Sequence, residues 1–297
     1  MERVYRSCAK INLHLQVVGR RADGYHELRT VFQTIDLHDR MGIELGGDAV
    51  ELEVRRGDVP SGEGNLAVRA AMRYLERWAP GRGVRLWLEK RIPIGGGLGG
   101  GSSNAATVLL ALQELLGSPA APQELWSLAR ELGADVPYFL IGGTALGVGR
   151  GDEVLPIREL ESTELWIVTP PIQVSTAEIF HSVQELTGEA MASSILALAR
   201  SRVEGSVRLE NVVGFNDLAP IVLTRFAAIG EVYNLLLEAG AAPVGVSGTG
   251  ASLFARFDNE VLGVRAMATL PVDVHRVQSQ TLSRAEFVAF RTAGSAV

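Results

Sequence analysis

The chain has a single cysteine, Cys8, in 297 residues. That excludes an intramolecular disulfide and a thiolate metal cage, and it suits a reducing compartment. Cys8 falls in an apparent strand, where a thiol serves as a small buried hydrophobe. The histidines His14, His26, His38, His181 and His275 are scattered and form no H-E-x-x-H, so no transition-metal site is expected. No apolar run approaches the roughly 20 residues that span a bilayer. The opening stretch MERVYRSCAKINLHLQVVG alternates polar and apolar residues instead of running charged and then apolar as a leader does. A cytoplasmic protein with no membrane partner is expected. Charged residues make up 21% of the chain and the formal net charge is -6. This balance argues against a nucleic-acid partner and leaves any anionic ligand to a local site.

What is present is a globular composition, 47% hydrophobic, in a chain long enough for one large domain or two ordinary ones. In the first strand Ile11, Leu13, Leu15 and Val17 fall on one face, and Lys10, Asn12, His14 and Gln16 on the other. AVELEV (49–54) and GVRLWLEKR (83–91) repeat the alternation. The stretch between them carries Leu66, Val68, Met72, Leu75 and Ala79 at helical spacing, with Asn65 as its N-cap. SSNAATVLLALQELLG reads as a helix opened by Ser102 or Ser103 and closed by Gly117, and a second helix covers about 122–132. Turn-rich sequence places a boundary near 155–163. Beyond it, helices are predicted around 176–187, 216–239 and 259–269, with strands at PVGVSGTGASLFARF and PVDVHRVQS. The expectation is two α+β domains, 1–158 and 159–297, with a cleft between them.

The stretch PIGGGLGGGSSNAA (93–106) concentrates glycine, the residue that loses most conformational entropy on folding, where close backbone approach requires it. It contains G-x-G-x-x-G at Gly95, Gly97 and Gly100. A dinucleotide site, however, needs an acid about 20 residues on at the end of the next strand, and here Glu114 falls inside a helix. A Walker loop needs a lysine at the helix start, where this chain has Ser102 and Ser103. The stretch GVSGTG (245–250) fails as a nucleophile elbow because Thr249 replaces the last glycine. Two readings stay open for the loop. It is a phosphate cradle of backbone N–H groups at the positive end of a helix, or a tight packing turn with serine caps.

Three stretches in this order, AKINL, PIGGGLGGGSSNAA and GVSGTGASLF, resemble the GHMP kinase superfamily across Ala9 to Phe254. The details DGYHEL, LGADVPYFL and FNDL are similar to the branch whose substrate is the cytidine diphosphate derivative of methylerythritol, in the non-mevalonate isoprenoid route. The resemblance implies a cytoplasmic ATP-dependent small-molecule kinase, monomer or homodimer, that phosphorylates an alcohol with Mg2+ on the nucleotide. It implies an N-terminal domain like ribosomal protein S5 domain 2 and a ferredoxin-like C-terminal domain. Alternatives are a homoserine, mevalonate or sugar kinase of the superfamily, or a noncatalytic nucleotide-binding protein of the same fold. By position, Lys10 and Asp135 match the catalytic lysine and aspartate, and Asp135, just before Val136 and Pro137, is expected at or beside a helix N-terminus. Asn65, Pro93, Gly95, Gly96, Gly97, Leu98, Gly99, Gly100, Gly101, Ser102 and Ser103 form the expected ATP site, with a Ser102 or Ser103 hydroxyl near magnesium. Asn12, Tyr25, His26, Thr176, Phe180 and Gly248 form the expected alcohol site. There Tyr25 and Phe180 offer stacking surfaces and His26 an edge-reading group for a pyrimidine.

Overall fold

A computed structural model describes residues 2–183 and 208–292. Strands β1 (Arg3–Arg20) and β2 (His26–Leu45) pair antiparallel along nearly their whole length. On its other edge β2 serves two neighbours. Its Leu28–Gln33 half pairs with β5 (Thr144–Gly149), and its Arg40–Leu45 half pairs with β4 (Val84–Glu89). β3 (Val50–Arg56) runs parallel to β4, and β6 (Glu153–Pro156) closes the six-stranded sheet beside β5. Helices α1 (Leu66–Trp78), α2 (Gly100–Leu115), α3 (Pro122–Leu132) and the single turn α4 (Tyr138–Ile141) pack on this sheet around Tyr74, Leu109, Tyr138 and Phe139. Asn65 caps α1 as expected, its Oδ1 accepting from the Ala67 N–H at 3.0 Å.

The second sheet has the order β10 (His275–Gln280), β7 (Glu164–Thr169), β9 (Leu253–Ala255) and β8 (Val244–Val246), all antiparallel. Its core takes in α5 (Thr176–Ser182), α7 (Ala219–Arg225), α8 (Ala227–Glu238) and α9 (Glu260–Thr269). A third cluster, with Ile11, Leu13, Ile167, Phe254 and Val212 of the turn α6 (Leu209–Val212), joins the two sheets. The last helix, α10 (Arg284–Thr292), returns to the first sheet, where Phe287 packs with Cys8. Burial pushes the Cys8 thiol far above its ordinary range, so it is an inert hydrophobe here. Among the described residues no single helix is long and apolar enough to cross a membrane.

Several expectations are corrected. The helix after the glycine loop starts at Gly100, with Gly99 in the left-handed region (φ 70°) at its cap and no serine hydroxyl capping it. The serines fall in its first turn because the chain enters α2 through a positive φ that glycine alone adopts without strain. The helix predicted over 216–239 is two, α7 and α8, bent by 112°. The strand predicted across PVGVSGTGASLFARF is a pair of short strands around a glycine turn. The helix predicted to reach residue 187 spans Thr176–Ser182, and the positions past 183 lie outside the described residues.

Both faces of β1 are buried, so the face of Lys10, Asn12, His14 and Gln16 is not a solvated one. His14 is 2% exposed and neither ring nitrogen has a hydrogen-bond partner. Burial lowers its pKa from the usual 6.5, only partly opposed by Asp217. An unfolded histidine takes up a proton near pH 6.5 that the folded one refuses, so this site costs stability as pH falls through 6.5 toward the lower folded value. His14→Phe is therefore expected to lose less melting temperature than wild type between pH 7.5 and 5.5. Equal losses in both proteins would remove His14 from the acid response.

Candidate active site

The glycine loop connects β4 to α2 through residues that only glycine adopts easily: Gly95, Gly97 and Gly99 have φ of 71°, 74° and 70°. Two partners fix its path. From the first sheet, the Lys10 N–H donates to the Leu98 carbonyl at 3.0 Å. From the second, the turn between β8 and β9 lies over the loop. The Ser252 N–H donates to Gly96 O at 3.0 Å, and Ser247 Oγ donates to Gly97 O at 3.0 Å. A Cβ on Gly97 would stand 2.1 Å from the Ser247 carbonyl oxygen, closer than any side chain allows. This third motif is held in turn by Asn216, whose Nδ2 donates to Val246 O at 2.9 Å and to Gly248 O at 2.8 Å.

Lys10 projects from β1 beside the loop with 3% exposure. Its Nζ lies 3.7 Å from Asp135 Oδ2 and donates to Asn12 Oδ1 at 2.5 Å. Asn12 donates onward to Thr30 Oγ1, which donates to the His14 carbonyl, each at 2.7 Å. This chain fixes the side chain of Asn12 and, through it, that of Lys10. Burial lowers the Lys10 pKa and Asp135 opposes the shift. The 3.7 Å separation is an ion pair without a hydrogen bond. Asp135 sits in the turn between α3 and α4, three residues before a one-turn helix whose cap position is Pro137. Asp135 thus lies beside a helix start and not at its cap, and its charged partner is Lys10.

Beneath the loop is a buried network that sequence reasoning missed. Asp39 of β2, fully buried, accepts from the Arg91 and Ile92 N–H groups at 2.7 and 2.9 Å, from Asn104 Nδ2 at 2.9 Å and from Lys90 Nζ at 2.5 Å. One carboxylate thereby ties the chain entering the loop to the helix leaving it. The sequence carries little signal for it, since Asp39 falls in the polar stretch Asp36–Arg40, and only its burial shows that the carboxylate must be paired. Lys90 and Asn104 line the cleft. Ser103 belongs to this network: its Oγ accepts from Ser7 Oγ at 2.8 Å, and it is 1% exposed.

The cleft has a volume of about 560 Å³. It brings together Lys10, Asn12, Asn65, Pro93, Gly95 through Ser102, Asp135, Thr176, Phe180 and Gly248. Three expected residues stand outside its lining. Ser103 points into the core, as above. Tyr25 is 57% exposed on the hairpin between β1 and β2, with the Arg150 guanidinium 5.1 Å from its ring. His26 stacks on Phe180 at 5.2 Å between ring centroids and 26° between planes. Arg150 and Thr249, which sequence reasoning did not single out, line the same end, and Thr249 Oγ1 lies 3.1 Å from Thr176 Oγ1.

Residues 65–143 match the family described as GHMP kinases N terminal domain. The chain is 41% identical over 259 residues to the 4-diphosphocytidyl-2-C-methyl-D-erythritol kinase of Geobacter sulfurreducens, covering 87% of this chain and 91% of that one. It is 42% identical over 276 residues to the enzyme of the same name from Thiobacillus denitrificans, covering 91% and 92%. A solved 4-(cytidine 5'-diphospho)-2C-methyl-D-erythritol kinase superposes with a TM-score of 0.76 at 36% identity over 95% of this chain and 99% of that one. Homoserine kinase from Cytophaga hutchinsonii, at 19% identity and a TM-score of 0.69, shares the fold. With a glycine loop, a lysine–aspartate pair and a second-sheet turn meeting in one cleft, and identity near 40% along most of its length, the chain belongs to the 4-diphosphocytidyl-2-C-methyl-D-erythritol kinase family of GHMP kinases.

Proposed function

We propose that this protein transfers the γ-phosphoryl group of ATP to the 2-hydroxyl of 4-diphosphocytidyl-2-C-methyl-D-erythritol, a step in isoprenoid precursor synthesis. The observation that carries the reading is the Lys10–Asp135 pair in a cleft running from the glycine loop to the Phe180 end. Phosphoryl transfer draws its rate mainly from alignment and charge stabilisation. Asp135 orients the hydroxyl and takes its proton as the oxygen bonds to the γ-phosphorus and the bond to ADP breaks. Lys10 stabilises the Asp135 carboxylate and the charge on the transferred group. Backbone N–H groups of the loop and the start of α2 hold the nucleotide phosphates. Among the described residues no three His, Cys, Asp or Glu side chains stand ready to hold a metal. Magnesium would ride on the nucleotide phosphates, with the cleft-facing Ser102 hydroxyl as a protein oxygen, and would neutralise charge on the transferring group.

For the alcohol, Tyr25, His26 and Phe180 form the base site. The His26 and Phe180 rings at 5.2 Å are already in contact, so a pyrimidine stacks on the open ring of Tyr25 or displaces His26 from Phe180. Tyr25→Ala and His26→Ala are each expected to raise KM for the alcohol by about 10-fold, the scale of a lost stacking or edge contact, with little change for ATP. Equal effects on both substrates would dissolve the base site. The reaction itself is tested by coupled ADP release with ATP, magnesium and a panel of alcohols. Turnover with the cytidylyl compound, and little with the free tetrol, mevalonate or homoserine, is the expected result. Efficient use of mevalonate or homoserine with the cytidylyl compound inert would overturn it.

A further inference from the structure

Three cationic side chains line the cleft among the described residues: Lys10, Lys90 and Arg150. Lys10 pairs with Asp135, and Lys90 is committed to buried Asp39 beneath the glycine loop. Of these three, Arg150 is the one beside the base site, its guanidinium 5.1 Å from the Tyr25 ring. It occupies the turn between β5 and β6, flanked by Gly149 and Gly151 at φ of 70° and 88°. Its Nε and Nη2 both donate to Asp152 Oδ2, at 3.2 and 2.7 Å, which leaves Nη1 outside the clamp. Asp152 is 1% exposed, and the same oxygen accepts from Arg130 Nε at 3.0 Å. Arg130 lies on α3, the helix that leads directly into the turn bearing Asp135.

We propose that Arg150 is a specificity-determining residue that reads the diphosphate of the alcohol substrate, and that Asp152 is a positioning residue that clamps Arg150 and ties it to the helix ahead of Asp135. This rests on the reading of the substrate given above. In that substrate the diphosphate separates the base from the reacting hydroxyl, so it must lie between Tyr25 and Asp135. A guanidinium matches phosphate oxygens in geometry as well as charge, and one immobilised by a buried carboxylate loses little freedom on binding. Through Asp152, the group that grips the non-reacting part of the substrate shares an anchor with the element that carries the base, an arrangement that spends remote binding energy on alignment.

The test compares inhibition by cytidine and by cytidine 5'-diphosphate, together with steady-state kinetics, for wild type, Arg150→Gln and Asp152→Asn. Wild type is expected to bind the diphosphate at least about 10-fold tighter than the nucleoside, the usual scale of a charge-assisted phosphate contact. Arg150→Gln, at a partly exposed turn, should fold and lose that preference, with KM for the alcohol raised and KM for ATP unchanged. Asp152→Asn should weaken the preference and also lower kcat, because the clamp and the α3 tie fail together. A wild type without the preference, an Arg150→Gln protein that keeps it, or equal shifts in both KM values would overturn the proposal. Failure of wild type to phosphorylate the cytidylyl compound, with the diphosphate preference intact, would instead strike the substrate assignment.

Discussion

Asp135→Asn is expected to keep the fold and ATP affinity while lowering turnover by at least ~10²-fold, the scale of a lost general base and about 2.7 kcal/mol of barrier. Asparagine is nearly isosteric, and Asp135 caps no helix, so stability has little to lose. Lys10 supplies a second readout. Its ammonium is buried and held below the usual lysine value of 10.5, and Asp135 is the partner that resists this. Burying an ammonium costs several kcal/mol, and a carboxylate with 35% side-chain exposure offsets only part of it, so burial wins. Activity that requires charged Lys10 should fall on the alkaline side as pH rises through that depressed pKa. In the variant the limb should move to lower pH, because the supporting charge is gone. Steady-state kinetics against pH, with calorimetry for ATP, checks both parts. Near wild-type turnover would remove Asp135 from the mechanism.

Gly97→Val is expected to abolish ATP-dependent turnover, a loss larger than any other substitution in the loop. The position has φ of 74°, which valine resists, and its Cβ would meet Ser247 O at 2.1 Å and Gly250 O at 3.0 Å. Both obstacles are backbone of the second sheet's turn, so neither can move without unseating that turn from the loop. Gly101→Ala is the control: its Cβ meets only Leu66 Cδ1 at 3.6 Å, an ordinary contact. It should hold KM for ATP within about twofold, the range of a substitution that disturbs nothing. Calorimetry with ATP and a thermal melt separate lost binding from lost folding. Normal ATP binding by Gly97→Val would show that the loop does not grip the nucleotide as proposed.

Residues whose meaning is local were legible in the sequence. The alternation in β1 was read correctly as a strand, the Asn65 cap as a helix start, and the glycine stretch as a strand-to-helix turn. Legibility stopped where tertiary pairing decides. β2 went unread because its two halves face different neighbours and its apolar pattern breaks at the polar stretch Asp36–Arg40. The two faces of β1 follow from its alternation, but that both are buried does not: alternation normally marks a half-exposed strand, and here Lys10, Asn12, His14 and Gln16 are buried as well. Asp39 and Lys90 were invisible as a pair, since 51 positions separate them and only the fold closes the gap. Arg150 was likewise just one charge in a turn until Tyr25 and Asp152 came beside it.

The contact between Ser247, Ser252 and the glycine loop bears on how this protein can be rebuilt. This end of the cleft is not one contiguous cassette. Its floor and its ceiling are written about 150 residues apart, yet they fit at backbone distances. A chimera that imports a loop from a distant kinase of the same fold, without the matching ceiling, would pair surfaces that never adapted to one another. Recombination libraries for new alcohol specificity are better cut so that both segments travel together, with the Tyr25 hairpin and the Arg150 turn left free to vary.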